Sequence, residues 1–481
     1  MKDSARHQPV IFYYKTMGMK FISAALKSVN SKEMKNEISR LAGSRRSFMK
    51  NTALGTAGLV AASATGFSEV PGANARVNVA VIGLKRRGRP LLNSLSEIDN
   101  VRVTWVSDVD AVQQEKGIGI AEKALGYRPP AEKDMRKILE KKDVDAVFVA
   151  TPDHLHAYQT LAALQNGKHV YVEKPCSHNL GEDELLIKAQ EKYSKLSIQM
   201  GTQQRSSPET REVIKAIHGG AIGKPYKAVA FYANSRGRVP NPKEMAPPST
   251  LDWELWQGPA PRRPFIDIVA DYNWHWRWHW GTAESANNGT HEMDVARWAL
   301  QVEYPEEVHA NGGKYHFVDD GWEMYDTMEV TFRYPGNKVI QWEGNSRNGY
   351  RTFGSGRGTI IYGTEGTVYV DRNGYRLYSR EGELVKESMG EAEAGTALGG
   401  GGSMTTRHVR NFIESIRSGE KLHAPIKIGA VSTQMTHYTN VASLVDGDVI
   451  HVDAATGHFK DSSLMRRYWG REYEKGWQPV L

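Results

Sequence analysis

The chain has 481 residues, 40% of them hydrophobic and 24% charged, the composition of a globular protein with room for two sizeable cores. Its formal charge of +7 sits at one end: residues 1–75 carry eleven of the 62 Lys and Arg but four of the 55 Asp and Glu, leaving 51 of each sign elsewhere. A neutral remainder excludes a general pull toward nucleic acid, and the single cysteine, Cys176, excludes internal disulfides and thiolate metal clusters.

No apolar run reaches the roughly 18 residues of a spanning helix, so no integral membrane association is expected. In chain order, Ser44–Lys50 (SRRSFMK) reads as a twin-arginine export signal. The uncharged stretch Thr52–Gly66 follows, and Ala73-Asn74-Ala75 supplies the small-x-small pattern of a signal-peptidase site. The twin-arginine export machinery is therefore an expected partner, and the periplasm or another exported location the expected destination. Residues 1–75 are read as a leader. Met34 offers a more usual start, which puts residues 1–33 upstream of it.

Residues 76–198 read as a dinucleotide-binding domain. Arg76–Ile82 is a short β-rich run of the kind buried in parallel sheets. It enters Gly83-Leu84-Lys85-Arg86-Arg87-Gly88, then a helix through Leu91, Leu92 and Leu95. A second strand, Val101–Val106, precedes Asp108. Glycine permits the tight turn, the helix N-terminus faces a pyrophosphate, and the carboxylate accepts from a ribose diol. Lys85 stands where the middle glycine usually falls; with Arg86 it offers charge to phosphate. Asp108 favours NAD over NADP, because a carboxylate repels a 2′-phosphate. Further on, the strand Val144–Ala150 runs into Thr151-Pro152-Asp153-His154-Leu155-His156. The helix Ala157–Asn166 and the strand His169–Val172 then lead to Glu173-Lys174-Pro175. Alternating strands and helices place these loops at the carboxyl ends of a parallel sheet.

Beyond residue 199 the pattern changes. Lys227–Asn234, Thr327–Tyr334, Lys338–Glu343, Thr359–Tyr362 and Thr367–Val370 are β-rich runs separated by turn residues. Helical periodicity marks Val295–Leu300 and Arg407–Ile416. The segment Asp271–Trp280 (DYNWHWRWHW) alternates aromatic and polar residues. Such a face suits a pyranose, whose C–H side stacks on rings while its hydroxyls need polar partners. Tyr272, Trp274 and Trp276 are candidate substrate contacts; a Trp-rich segment packed in the core is the alternative. His275/His279 and His154/His156 have spacings a metal could use, but no carboxylate or thiol set completes them, and no metal is expected. Cys176 reads as packing, and Gly399–Gly402 as a loop.

Val81-Ile82-Gly83, Ala150–His156 (ATPDHLH) and Glu173-Lys174-Pro175 together resemble the Gfo/Idh/MocA oxidoreductases. Gln199–Arg205, Gly289–Trp298 and His408–Phe412 fit the same family in the same order, so the resemblance covers roughly residues 76–445. It implies an α/β fold: an N-terminal Rossmann domain, and a C-terminal α/β domain (residues 199–481) with a large, mostly antiparallel sheet that serves the substrate and homo-oligomer formation. It also implies NAD(P)-dependent chemistry on sugars, sugar acids or cyclitols. Cofactor contacts are expected from Gly83, Leu84, Lys85, Arg86, Gly88, Asp108, Thr151, Pro152, His156, Glu173, Lys174 and Gln203. Arg205 and Asp294 join the substrate contacts.

Hydride transfer from an alcohol needs a group to take the hydroxyl proton and another to polarise the developing carbonyl. Lys174 is the first candidate and His291 the second. In the inositol-dehydrogenase branch an Asp stands four residues before the catalytic His; here Asn287 stands there, able to orient a hydroxyl but not to take a proton. The expected function is oxidation or reduction at a ring hydroxyl or keto group of a sugar or glycoside, including 3-keto-glycosides, with tightly held cofactor. Two other readings stay open: an NAD-dependent glycosidase working by transient oxidation and elimination, and a non-catalytic sugar-binding module.

Overall fold

A computed structural model describes residues 76–270, 272–390, 402–445 and 447–481. Residues 1–75, read above as a leader, and also Asp271 and Gly399–Gly401 lie outside the described residues. The first six strands form a parallel sheet: β1 (Val77–Ile82), β2 (Val101–Ser107), β3 (Ala131–Glu132), β4 (Ala146–Val149), β5 (His169–Val172) and β6 (Ile198–Met200). Their order is β3-β2-β1-β4-β5-β6, that of a Rossmann sheet. Strands β1 and β4 are buried on both faces, which is why they read as unbroken apolar runs rather than alternating ones. β6 crosses the expected boundary at residue 198, so the sheet takes one more strand than residues 76–198 supply.

The second sheet has nine strands: β7 (Pro225–Ala233), β8 (Glu307–Gly313), β9 (Thr327–Tyr334), β10 (Lys338–Asn345), β11 (Arg357–Gly363), β12 (Gly366–Val370), β13 (Gly374–Ser379), β14 (Leu384–Met389) and β15 (Ile450–His451). Their order is β14-β13-β12-β11-β7-β10-β9-β8-β15. All pairs are antiparallel except β7 with β10. β9 alternates buried and exposed positions along its length, as a sheet covered on one face requires. The covering layer is the helix Thr290–Leu300, whose Met293, Val295, Ala296 and Leu300 pack with Ala228, Phe332, Ile340 and Trp342 of the sheet.

The chain does not stay in the second half after crossing to it. Val409, Phe412 and Ile413 of the helix Ser403–Ser418 pack with Val79, Phe148 and Tyr171 of the parallel sheet. Ile426 and Ala430, on the helix Ile426–Leu444, join Val147, Val170 and Met200. The division at 199 is therefore not a clean cut in space. Two late helices close the core of the nucleotide half.

Candidate active site

Each loop that leaves the carboxyl end of β1, β2, β4 or β5 opens into one cavity of about 270 Å³. Gly83 sits at φ +88°, and a Cβ there would lie 2.5 Å from the carbonyl oxygen of Ala150. A Cβ on Gly88 would lie 1.8 Å from the Gly83 carbonyl oxygen. Both positions require glycine, so the turn brings the helix Gly88–Ser96 hard against the end of β1. That helix has no side-chain cap and no acid in its first turn, so nothing there opposes an anion near its N-terminus. Lys85, Arg86 and Arg87 line the cavity beside it. The residues present therefore fit a dinucleotide although Lys85 replaces a glycine.

Asp108 lines the cavity at the end of β2. Its Oδ2 accepts from the Leu84 N–H at 2.8 Å and its Oδ1 from the Asp110 N–H at 3.0 Å. Burial raises its pKa, and those two N–H groups pull it back. Thr151, Pro152 and Gln203 also face the cavity. Glu173 lines it as an ion-pair partner of Arg87, at 2.7 Å, and accepts from Gln203 Nε2 at 3.2 Å.

Lys174, Asn287 and His291 converge on the same wall. Lys174 Nζ donates to the backbone carbonyl of Asn287 at 2.6 Å and reaches its Oδ1 at 3.3 Å. Burial lowers the lysine pKa; Asp153 and Glu173 act against that, and Arg372 and Arg357 reinforce it. His291 is 5% exposed. Burial first, then Arg372, Arg357, Lys174 and Arg87, push it well below the ordinary histidine value, so it is neutral at neutral pH. Asn287 lies in a π-helical turn, Ser285–Gly289, that feeds the helix Thr290–Leu300. Widened turns of this kind recur at functional sites because they swing side chains out of the helical register. Here Asn287 Nδ2 donates to Tyr272 Oη at 2.8 Å and to Glu284 Oε1 at 3.1 Å.

Several expected contacts lie elsewhere. Leu84 is fully buried and points into the core; only its backbone serves the site. Gly88 acts through packing and is not on the cavity wall. His156 is buried between the carbonyls of Pro175 (Nδ1, 2.5 Å) and Thr151 (Nε2, 2.7 Å), bracing the two loops rather than meeting a ligand. Arg205 and Asp294 form a buried bidentate pair at 2.7 and 2.9 Å, with Trp298 beneath the guanidinium and Ser432 donating to the carboxylate at 2.6 Å. They clamp three segments together, away from the cavity, and are not substrate contacts. Trp276 stacks on Trp322 at 3.8 Å in a separate core, whereas Tyr272 and Trp274 do face the cavity. The reason is local: Asn273–Trp276 is a 3-10 turn, so the aromatics do not alternate as they would along a strand.

Among the further residues that line the cavity, Asp153, Arg357 and Arg372 bear on its charge. Asp153 accepts from Thr282 Oγ1, and burial lifts its carboxyl to about 7. Its place within Thr151–His156 was the available signal. Arg357, held by Glu292 at 2.7 and 3.0 Å, and Arg372 had none, because they reach the site across more than 60 residues of intervening chain. Among the described residues no group of three or more His, Cys, Asp or Glu is arranged to hold a metal. No helix there is long and apolar enough to cross a membrane.

Comparison with known proteins places these features. Residues 77–202 match the model for the Gfo/Idh/MocA oxidoreductase family, NAD-binding Rossmann fold, and residues 210–369 match that for the Gfo/Idh/MocA C-terminal domain. A glycosyl hydrolase family 109 protein of Saccharopolyspora erythraea is 31% identical over 202 residues, 38% of this chain and 44% of that protein. A myo-inositol 2-dehydrogenase of Thermotoga maritima is 26% identical over 298 residues, 61% of this chain and 75% of that protein. Among solved structures, the scyllo-inositol dehydrogenase of Lactobacillus casei with bound NAD(H) and scyllo-inositol superposes with a TM-score of 0.56. It is 17% identical and covers 78% of this chain and 99% of that one.

Proposed function

The chain belongs to the Gfo/Idh/MocA oxidoreductase family, whose nucleotide domain binds NAD, and on that premise we propose that it oxidises or reduces a ring hydroxyl or keto group of a sugar or glycoside. The observation that carries the reading is the convergence of Lys174, Asn287 and His291 on the cavity that the glycine turn and Asp108 open into. NAD, when bound there, accepts or returns the hydride. The glycine turn and the helix Gly88–Ser96 would hold its pyrophosphate, and Asp108 a ribose diol.

The division of labour follows from the two pKa directions. Lys174, buried and drawn below its ordinary value, can present a neutral amine that takes the hydroxyl proton. His291, held neutral by burial and by Arg372, Arg357 and Arg87, is a poor resting place for a proton but a good hydrogen-bond partner for the substrate oxygen. Asn287, fixed by Tyr272 and Glu284, positions a second hydroxyl. Asp153 neighbours Lys174 and favours its ammonium form, so it tunes the lysine without replacing it. Trp274, stacked on His275 at 3.5 Å, offers the ring face for the sugar.

A second reading is supported by the family 109 relative: transient oxidation, elimination of the glycosidic bond and return of the hydride, with no net redox. The leader motif Ser44–Lys50 supports export by the twin-arginine route, and the open second sheet supports a homo-oligomer; both belong to this proposal. The test is to purify the protein without added nucleotide, record bound NAD(H) by absorbance and fluorescence, and add a panel of sugars and glycosides. A change in cofactor redox state without aglycone release supports the oxidoreductase. Aglycone release with no net redox change transfers the assignment to the glycosidase. Protein that holds no NAD and takes none up refutes both.

A further inference from the structure

In a Rossmann cleft the acid after the second strand, here Asp108, marks the adenosine ribose. A segment from the other half of the chain crosses beside it. Asp110 and Leu251 pair as an isolated antiparallel bridge. The Ala111 N–H donates to the Thr250 carbonyl at 2.9 Å, and the Asp252 N–H donates to the Val109 carbonyl at 2.9 Å. Both bonds sit on the turn that directly follows Asp108.

Behind this strap stands an aromatic wall. Trp253 and Trp256 stack with ring centroids 4.8 Å apart. Trp477, from near the chain end, packs on Tyr158 at 5.0 Å under the guanidinium of Arg136. All three tryptophans line the cavity that Gly83 and Asp108 open into. A flat purine has π-faces that such a wall can stack on, and the strap is bonded to the turn beside it.

We propose that the strap around Leu251, with Trp253, Trp256 and Trp477, closes over the adenosine half of the cofactor, so that NAD is a resident group exchanging only when the two backbone bonds to residues 109 and 111 open. This deepens the nicotinamide reading and rests on it. A resident cofactor also suits an enzyme that would work away from a free nucleotide pool.

The bridge geometry supplies its own test. In a pair flanked by bonds of this pattern the two Cα atoms approach to roughly 4.5 Å, within the span a disulfide needs. The native thiol, Cys176, is fully buried and will not interfere. The full chain carrying Asp110→Cys and Leu251→Cys is loaded with NAD and oxidised, and the displacement of bound cofactor by excess isotopically labelled NAD is followed. Exchange slower by about tenfold or more in the oxidised form, restored by reductant, is expected; off-rates are where such closures show. Trp253→Ala with Trp477→Ala should speed exchange. Equal rates with the bridge closed and open would overturn the strap while leaving the nicotinamide reading intact, as would failure of the two thiols to join. Protein that binds no NAD in any form would overturn both.

Discussion

The two sheets serve the cavity in different ways. The parallel sheet contributes through loops within a few residues of a strand end: Gly83 after β1, Asp108 after β2, Thr151 and Pro152 after β4, Glu173 and Lys174 after β5. The nine-stranded sheet contributes little directly, Arg357 at the start of β11 and Arg372 between β12 and β13. Its half of the chain reaches the cavity mainly through the long connection between β7 and β8, which carries Leu251, Trp253, Tyr272, Trp274, Asn287 and His291. A residue's place in a parallel sheet thus predicts its role, whereas in the other half the connection has to be folded before a role can be assigned.

The largest effect that would sharpen this contrast is at Lys174. Lys174→Met should lower the rate of the chemical step by about a thousandfold while leaving NAD bound, since positioned acid–base groups contribute roughly 10²–10⁴. Single-turnover reduction of the bound cofactor would measure it; an unchanged rate would return the role to the other half. Next is Arg205, which resembles a site residue in sequence and is a core clamp in space. Arg205→Ala should cost roughly 3–5 kcal/mol of stability, because it leaves the Asp294 carboxylate buried and unpaired. Denaturant unfolding should register that loss with KM of the surviving fold little changed.

Within the aromatic stretch, Trp274→Ala should raise KM by about tenfold, the size of one lost ring contact, with kcat less affected. An unchanged KM would take Trp274 out of the substrate site. The smallest effect is a pH displacement at Asp153. Its ionised carboxylate favours the Lys174 ammonium, so Asp153→Asn should let the lysine deprotonate at lower pH and move the rising limb of kcat/KM in that direction. Stability supplies a second reading. Between the ordinary carboxyl range and about 7, native Asp153 holds a proton that the unfolded chain has released, so wild-type stability falls as pH rises through that window. The Asn variant should lose that slope.

What was legible in the sequence follows the same divide. The strands His169–Val172 and Thr327–Tyr334 fall where composition places them, since one is buried from Val170 onward and the other alternates. The helix read from Ala157 begins at Asp153, because its first turn carries the polar Asp153, His154 and His156 and so lacks the apolar periodicity that marks the rest. The helix read from Val295 begins at Thr290 for a similar reason: its first turn, with the π-helical turn before it, carries the functional polar residues instead of core ones. Arg205 and Asp294 were misplaced because sequence shows polarity but not partnership, and two opposite charges can satisfy each other in a core. Residues beyond 446 matched no motif, yet they bring Trp477 to the cavity by a path that no local pattern records.

The central claim is that a ring C–H of the substrate gives its hydride to NAD in the cavity beside Lys174. A sugar or glycoside deuterated at the reacting carbon tests it directly, with the bound cofactor isolated after one turnover. Deuterium on the nicotinamide, with slowed reduction relative to the unlabelled substrate, is the predicted result under net oxidation; transient oxidation returns the deuterium to the sugar and registers as the isotope effect alone. Turnover of the same substrate with no label on the nicotinamide and no isotope effect would contradict it.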